Sequence, residues 1–136
     1  MKLSEMRVNS DAIENGRWVA LVVFPGAEVK VRGMKSKGYR RELQRVVTNL
    51  PMQDKMRLSE DPDITDRIDI QMVSSYLLLD WRGIEDDNGD PVPFSADRAK
   101  ELLSDPDMVE LRDAIDSAIK IVGNDALVVA ETVAKN

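Results

Sequence analysis

Residues 79–95 read LDWRGIEDDNGDPVPFS, and this stretch decides how the rest of the chain is arranged. An apolar run ends at Trp81, an acidic segment follows, and Phe94 stands directly before Ser95. Serine is a favoured helix N-cap, so we expect a helix to begin after Ser95. We expect Trp81 and Phe94 to anchor the two ends of the acidic segment in the core.

The middle of this stretch predicts a tight turn. Asn88-Gly89 is the pair favoured in a type I′ turn, because both central residues of that turn need positive φ. Beside the turn, Ile84 with Val92 or Phe94 could close a short ribbon. The residues expected to shape the whole stretch are Trp81, Gly83, Asn88, Gly89, Pro93, Phe94 and Ser95.

The composition argues against catalysis and metal binding. The chain has no Cys and no His, which removes thiolate ligands, the commonest metal ligand and the usual general base. A calcium loop with Gly89 at its sixth position would begin at Ile84 and end at Ser95, neither of which is a carboxylate. The Asp and Glu clusters are expected in turns or on solvated helix faces. We predict no catalytic residue, no metal site and no cofactor.

Length and hydropathy indicate one soluble domain. With 136 residues and 43% apolar content, residues 1–136 can form a single core, preceded by a flexible or irregular arm over 1–16. The longest apolar runs, residues 18–24 and 76–79, are far below the roughly 20 residues that cross a bilayer. We expect a cytosolic protein with no membrane partner.

The first half predicts a β-hairpin followed by a basic helix. Residues 18–24 and 28–32 read as strands around Pro25-Gly26, which suits a type II turn. We expect the first strand to be the more buried, because both of its faces are apolar. If the hairpin edge is open, the chain could form a homo-oligomer, and Lys30 and Arg32 would discourage uncontrolled pairing.

Helical spacing over residues 39–50 predicts a helix that Pro51 ends, with a basic outer face. Residues 1–50 hold ten Lys and Arg against five Asp and Glu, whereas residues 51–136 hold nine against twenty. A solvated helix face is the commoner meaning of such charges, and a docking surface for an acidic partner is the alternative. The candidate partner-binding residues are Lys37, Arg40, Arg41 and Arg45.

The second half predicts further helices. Residues 51–63 read as a loop, and Thr65 or Asp66 would cap a central helix that runs to Trp81. Ser95 begins the next helix, and Asp105-Pro106 begins a long one. A last helix is expected over residues 126–134. The predicted fold is α+β, with an N-terminal hairpin and a possible short second ribbon packed on about four to five helices.

Several segments resemble the tail assembly chaperones of long-tailed bacteriophages and prophages. They are LDWRGI at 79–84, DNGDPVPFS at 87–95, AKELL at 99–103, FPG at 24–26 and VKVR at 29–32. The resemblance implies a non-enzymatic protein of the host bacterial cytoplasm that is absent from the mature virion. Its implied partners are the tape measure protein, which it keeps soluble, and the major tail tube protein, which it helps to recruit.

The resemblance also implies a longer form made by a programmed −1 frameshift. Ala134-Lys135-Asn136 could be encoded with the slippery run A AAA AAC, so we expect an overlapping downstream reading frame. Two other roles stay open. One is a structural minor tail or connector protein of the virion, and the other is a small nucleic-acid-binding regulator, which the acidic net charge of −6 argues against.

Overall fold

The structure, a computed structural model, describes residues 1–123. It is an α+β fold, as the sequence predicts, and the helix expected over residues 126–134 lies outside the described residues. The strands are β1 (Arg17–Ala20), β2 (Glu28–Val31) and β3 (Leu78–Arg82). The helices are α1 (Leu3–Met6), α2 (Ser10–Asn15), α3 (Lys37–Thr48), α4 (Met52–Arg57), α5 (Pro62–Met72), α6 (Ala96–Ser104) and α7 (Val109–Val122).

The sheet is antiparallel in the order β1-β2-β3, which makes β2 the central strand. Val29 lies opposite Val19 on one side and Trp81 on the other, and both Val29 and Val31 are fully buried. The expectation that the first strand is the more buried is therefore wrong. β2 is the more buried strand because β3 pairs with its second edge, which a two-stranded hairpin would leave open.

The central helix begins and ends earlier than predicted. Asp61 caps it, with Pro62 in the first turn, and a π-helical turn over Val73–Leu77 ends it, so Thr65 and Asp66 are not caps. The chain then continues as β3 rather than as helix to Trp81. A short apolar run fits either state, and the unpaired edge of β2 supplies the hydrogen-bond partners that favour the strand.

The two segments predicted to be irregular contain helices. Within residues 51–63, α4 is helical from Met52 to Arg57. Within residues 1–16, Asn9 caps α2 by accepting a hydrogen bond from the Ala12 amide at 3.1 Å. Ile13 is buried in α2, and its carbonyl accepts the Gly33 amide at 3.0 Å. Burial of one apolar side and a good cap thus order α2 against the residues that follow β2.

The hairpin turn forms as predicted, but the strands are shorter. The Ala27 amide donates to the Phe24 carbonyl at 3.0 Å, and Gly26 has φ of 92°, as a type II turn around Pro25-Gly26 requires. β1 ends at Ala20, so the loop spans residues 21–27. Val23 in this loop is 64% exposed.

Residues 84–92 form the expected ribbon around a different turn. The Val92 amide donates to the Ile84 carbonyl at 2.9 Å. Gly89 has φ of 83°, whereas Asn88 has negative φ, so the type I′ turn is wrong. The Asp86 carboxylate explains the difference, because it accepts the Asn88 amide at 2.9 Å and the Asp90 amide at 3.0 Å. A turn stabilised in this way needs positive φ only at the glycine.

The ends of this ribbon lie in the main core. Trp81 is buried, its indole N–H donates to the Val92 carbonyl at 2.7 Å, and its ring meets Phe94 edge to face at 5.0 Å. Pro93 stands between Val92 and Phe94 and is exposed. Ser95 caps α6 as predicted, since its hydroxyl oxygen accepts the Arg98 amide at 3.0 Å.

The helices cover the sheet and form a second, smaller core. Asp105 caps the turn at Pro106–Met108 that leads into α7, as predicted. The sheet, α6 and α7 share the main core, and α3 packs on α5 around Val46, Ile64, Ile68 and Met72. Among residues 1–123, no helix has both the length and the apolar composition needed to cross a membrane.

Candidate functional site

The basic residues predicted on α3 form an exposed stripe. Lys37, Arg41 and Arg45 are spaced four residues apart, so they follow one side of the helix, and Arg40 lies beside them. All four are exposed, while Val46 on the opposite side is buried. Apolar side chains facing α5 therefore fix the direction in which the cations point.

Arg45 is partly neutralised within its own helix. Its guanidinium forms a salt bridge with Glu42 three residues earlier, and this hydrogen bond lowers the pKa of Glu42. Among the salt bridges of residues 1–123, none involves Lys37, Arg40 or Arg41. Three of the four predicted cations thus form no salt bridge in the described part of the chain, although the Glu14 carboxylate accepts the Lys37 backbone amide at 2.6 Å.

Arg32, also in the basic half, has a structural role instead. It donates to the carbonyls of Glu14 at 2.9 Å and Tyr76 at 3.1 Å, and its guanidinium lies 4.6 Å from the centre of the Tyr76 ring. It therefore ties α2 to the π-helical turn. Because β2 is central, Lys30 and Arg32 do not guard an open sheet edge as expected.

An apolar groove of about 380 Å³ lies where α3, α5 and α6 meet; we call it the α3–α5–α6 groove. Its apolar lining comes from Val46 and Leu50 at the end of α3 and from Ile68 and Ile70 on α5. Asn49, Gln71 and Ser104 add hydrogen-bonding groups. The groove thus combines an apolar floor with polar groups that can orient a bound segment.

One cation from each of the three helices lines the groove: Arg45 from α3, Arg67 from α5 and Lys100 from α6. Arg67 also lies 3.4 Å from Asp54 of α4. In this pair the Arg67 side chain is 61% exposed and that of Asp54 15%. Ion pairs whose cation is open to water contribute little to stability, so a bound carboxylate can compete for Arg67. The arrangement suits an acidic amphipathic segment whose apolar side chains enter the groove.

α4 lies beside α5 and carries two exposed methionines. It follows Leu50 directly in the chain, and the Asp54–Arg67 salt bridge holds it to α5. Met52 and Met56 are one helical turn apart on α4 and are 69% and 75% exposed. Asp54 is two residues from each methionine and therefore lies on the opposite side of α4, so the methionines point away from α5 and do not line the groove.

The structure therefore brings one predicted residue, Arg45, to the groove and leaves the other three on the adjoining stripe. Arg67 and Lys100 were missed by the sequence reasoning. Both lie outside the basic run of the first half, and only the packing of α5 and α6 against α3 places them beside Arg45. The link to residues 79–95 is Ser95, whose cap begins the helix that carries Lys100.

A second polar cluster lies between α5 and α7. The Arg112 guanidinium binds Asp66 at 2.6 Å, and Asp69 and Asp116 line the same small cleft of about 210 Å³. Burial raises the pKa of Asp69 and of Asp116, and the positive charge of Arg112 offsets part of this rise. We assign this cluster to helix packing. Within residues 1–123, no three acidic side chains gather as a metal site.

Comparison with protein families places the chain in a prophage family. The model of a family described as YdaY prophage protein matches residues 34–136, which is more than half of the chain. All residues that line the α3–α5–α6 groove lie within the matched segment, whereas α1, α2, β1 and β2 lie before it. Searches of curated proteins and of solved structures found no match.

Proposed function

This chain belongs to the YdaY prophage protein family, and we propose that it is a phage tail assembly chaperone whose α3–α5–α6 groove binds the tape measure protein. The observation that carries this proposal is the groove itself, where cations from three helices surround an apolar floor. The resemblance of residues 79–95 to tail assembly chaperones supports the tail-specific part. The role is one of binding, without catalysis.

The groove selects a client, the protein that a chaperone holds, by its chemistry. A helical segment with apolar residues on one side can place them on Val46, Leu50 and Ile68, in the manner of a helix bound in a groove. Carboxylates beside that apolar stripe would pair with Arg45 and Lys100. Covering the apolar stripe keeps a long helical client from aggregating before assembly.

The exposed stripe on α3 contributes to encounter rather than to tight binding. Lys37, Arg40 and Arg41 are exposed, so water and salt screen their attraction for a bound acidic segment. Such charges mainly raise the association rate. A complex that forms fast and depends on exposed ion pairs can also be released when the client assembles and the major tail tube protein is recruited.

The first experiment is co-expression with the tape measure protein, followed by affinity purification from the soluble fraction. Wild-type chain is expected to keep the client soluble and to co-purify with it. Arg45→Glu combined with Lys100→Glu reverses two charges at the groove and should abolish co-purification. If the client is equally soluble and unbound without this chain, the proposal is wrong.

Arg98→Glu is the matched control for that experiment. Arg98 lies on α6 two residues before Lys100, is exposed, and does not line the groove. It makes the same change of charge as Lys100→Glu alone and on the same helix, so binding should survive it, whereas Lys100→Glu alone should weaken binding. Mass spectrometry of purified virions then separates a chaperone, which leaves the finished particle, from a structural minor tail or connector protein, which stays in it.

A further inference from the structure

The N-terminal segment, residues 1–8, exposes apolar side chains that nothing in the described chain covers. Met1, Leu3, Met6 and Val8 are all exposed, with Leu3 at 76% and Met6 at 57%. α1 contributes no buried residue. Since soluble monomers seldom display clustered large apolar side chains, such a segment marks an interaction site.

A second apolar depression lies between the hairpin loop and the start of α7; we call it the hairpin–α7 cleft. Its volume is about 610 Å³, and Phe24, Ala27, Ile84 and Leu111 are among its lining residues. Val23 lies at its lip, 64% exposed. The carboxylates of Asp107 and Glu110 also line it, so an occupant with basic residues beside apolar ones would fit.

We propose that residues 1–8 of one copy of this chain occupy the hairpin–α7 cleft of a second copy. The apolar side chains of the segment would fill the cleft, and its two cations, Lys2 and Arg7, would meet Asp107 and Glu110. Lys2 and Arg7 lie directly beside Leu3 and Met6 in the sequence, and Asp107 and Glu110 lie beside the apolar lining of the cleft. The two surfaces thus combine apolar residues with charges of opposite sign. This inference does not depend on the proposed function.

The position of α2 favours a second copy over the chain's own cleft. α2 is held near Gly33 through the Ile13 carbonyl, at the C-terminal end of β2, whereas Ala27 and the cleft lie at the N-terminal end of that strand. Six extended residues separate these ends, or about 20 Å. With α1 helical, Leu3 reaches at most about 15 Å from Asn9.

If two copies exchange their N-terminal segments, both segments and both clefts are covered in the same dimer. Each copy has one N-terminal segment and one cleft, so two reciprocal contacts close a symmetric dimer and leave neither apolar surface open. The groove between α3, α5 and α6 takes no part in these contacts, and a dimer would therefore present two grooves to a long client.

Light scattering coupled to gel filtration, with sedimentation velocity, tests the association. The chain is expected at twice its single-chain mass of 15.3 kDa. Leu3→Asp combined with Met6→Asp should weaken association at least about tenfold, as loss of anchoring residues does. Val23→Asp should do the same from the cleft side. All three positions are exposed, so folding is not at risk.

Met52→Asp combined with Met56→Asp is the control, because it changes equally exposed apolar residues outside both surfaces. It should leave the dimer intact. A chain that is monomeric at a few hundred micromolar, or a Leu3→Asp/Met6→Asp variant that dimerises like wild type, would overturn the inference while leaving the proposed function standing.

Disulfide trapping tests the pairing directly, since the chain has no Cys. A Leu3→Cys chain mixed with a Val23→Cys chain should form a mixed disulfide much faster than Leu3→Cys mixed with Met52→Cys. Equal rates would reject the contact. A chain that carries both Leu3→Cys and Val23→Cys should cross-link between copies; an intramolecular bond would show that the segment enters its own cleft and would also reject the proposal.

Discussion

Residues 79–95 combine two regions of opposite character, a pair of anchored ends and a solvated middle. At the ends, Trp81 is buried against Phe94 and hydrogen bonded to the Val92 carbonyl. In the middle, the acidic turn is exposed, and its bonds are made among its own residues from Asp86 to Asp90. Both regions contribute to the resemblance to a family, but only the ends fix the fold. Substitutions at the ends should therefore lower the free energy of unfolding more than substitutions in the middle.

The largest effect is expected for Trp81→Ala. The change removes a buried ring from the junction of β3, the ribbon and α6, and large-to-small core substitutions of this kind cost about 3 to 5 kcal/mol. Urea denaturation measures the free energy of unfolding. Trp81→Phe keeps a ring but loses the hydrogen bond to Val92, so it should cost clearly less. A loss for Trp81→Ala below about 1 kcal/mol would mean that the ends are not anchors.

Gly83→Ala should be the next most damaging. Gly83 has φ of 76°, and an added Cβ would lie 1.9 Å from the Gly26 carbonyl oxygen, so the hairpin loop would have to move. Backbone strain and overpacking together predict a loss of about 2 to 4 kcal/mol.

Gly89→Ala is the matched control, taken from the solvated middle. Gly89 has φ of 83°, but an added Cβ would meet only the Glu85 carboxylate at 4.0 Å. It should therefore lose only the backbone part, about 1 to 2 kcal/mol. If both variants lose the same amount in urea, the close contact between Gly83 and the hairpin loop contributes nothing.

Local chemistry explains which parts of this fold were predictable. The type II turn at Pro25-Gly26 and the caps at Ser95 and Asp105 depend on neighbouring residues, and all three are present. The turn at Asn88-Gly89 was misassigned because the Asp86 side chain selects another geometry. Even a short-range pattern can mislead where a side chain competes for the backbone.

Long-range pairing explains what could not be predicted. Leu78–Arg82 is a strand because β2 has a free edge about fifty residues earlier in the chain, and helical periodicity carries no sign of that edge. The same limit applies to the groove. Arg45 stood out in a basic run, whereas Arg67 and Lys100 reach it only through the packing of α5 and α6.

Within the solvated middle, Asp86→Ala should have a measurable effect. Its carboxylate accepts two backbone amides, from Asn88 and Asp90, and exposed hydrogen bonds of this kind contribute up to about 1 kcal/mol in total. Asp86→Asn keeps an acceptor oxygen and should stay close to wild type. Equal losses for the two variants, measured by urea denaturation, would point to charge rather than hydrogen bonding.

Asp116, a half-buried carboxylate outside residues 79–95, should differ from Asp86, because removing its charge should raise the stability at pH 7. Burial raises the folded-state pKa of Asp116, so wild-type stability falls as pH rises through that value. Asp116→Asn cannot ionise and should be slightly more stable than wild type at pH 7, by less than about 1 kcal/mol since solvent screens the site. The gain should vanish below about pH 4, where an unfolded Asp is protonated. The exposed neighbour Asp113→Asn should show no such gain in melts across this range.

The smallest effect on stability is expected for Asp87→Ala, which tests whether the solvated middle of residues 79–95 has a role of its own. Asp87 is exposed, and its side chain makes no hydrogen bond within residues 1–123, although it occupies the centre of the turn. Exposed substitutions of this kind change the free energy of unfolding by less than about 0.5 kcal/mol. Client binding should also be unchanged, because Asp87 does not line the α3–α5–α6 groove. Stability near wild type with co-purification lost would make the acidic turn a binding element in its own right, and the division between anchored ends and a passive middle would then fail.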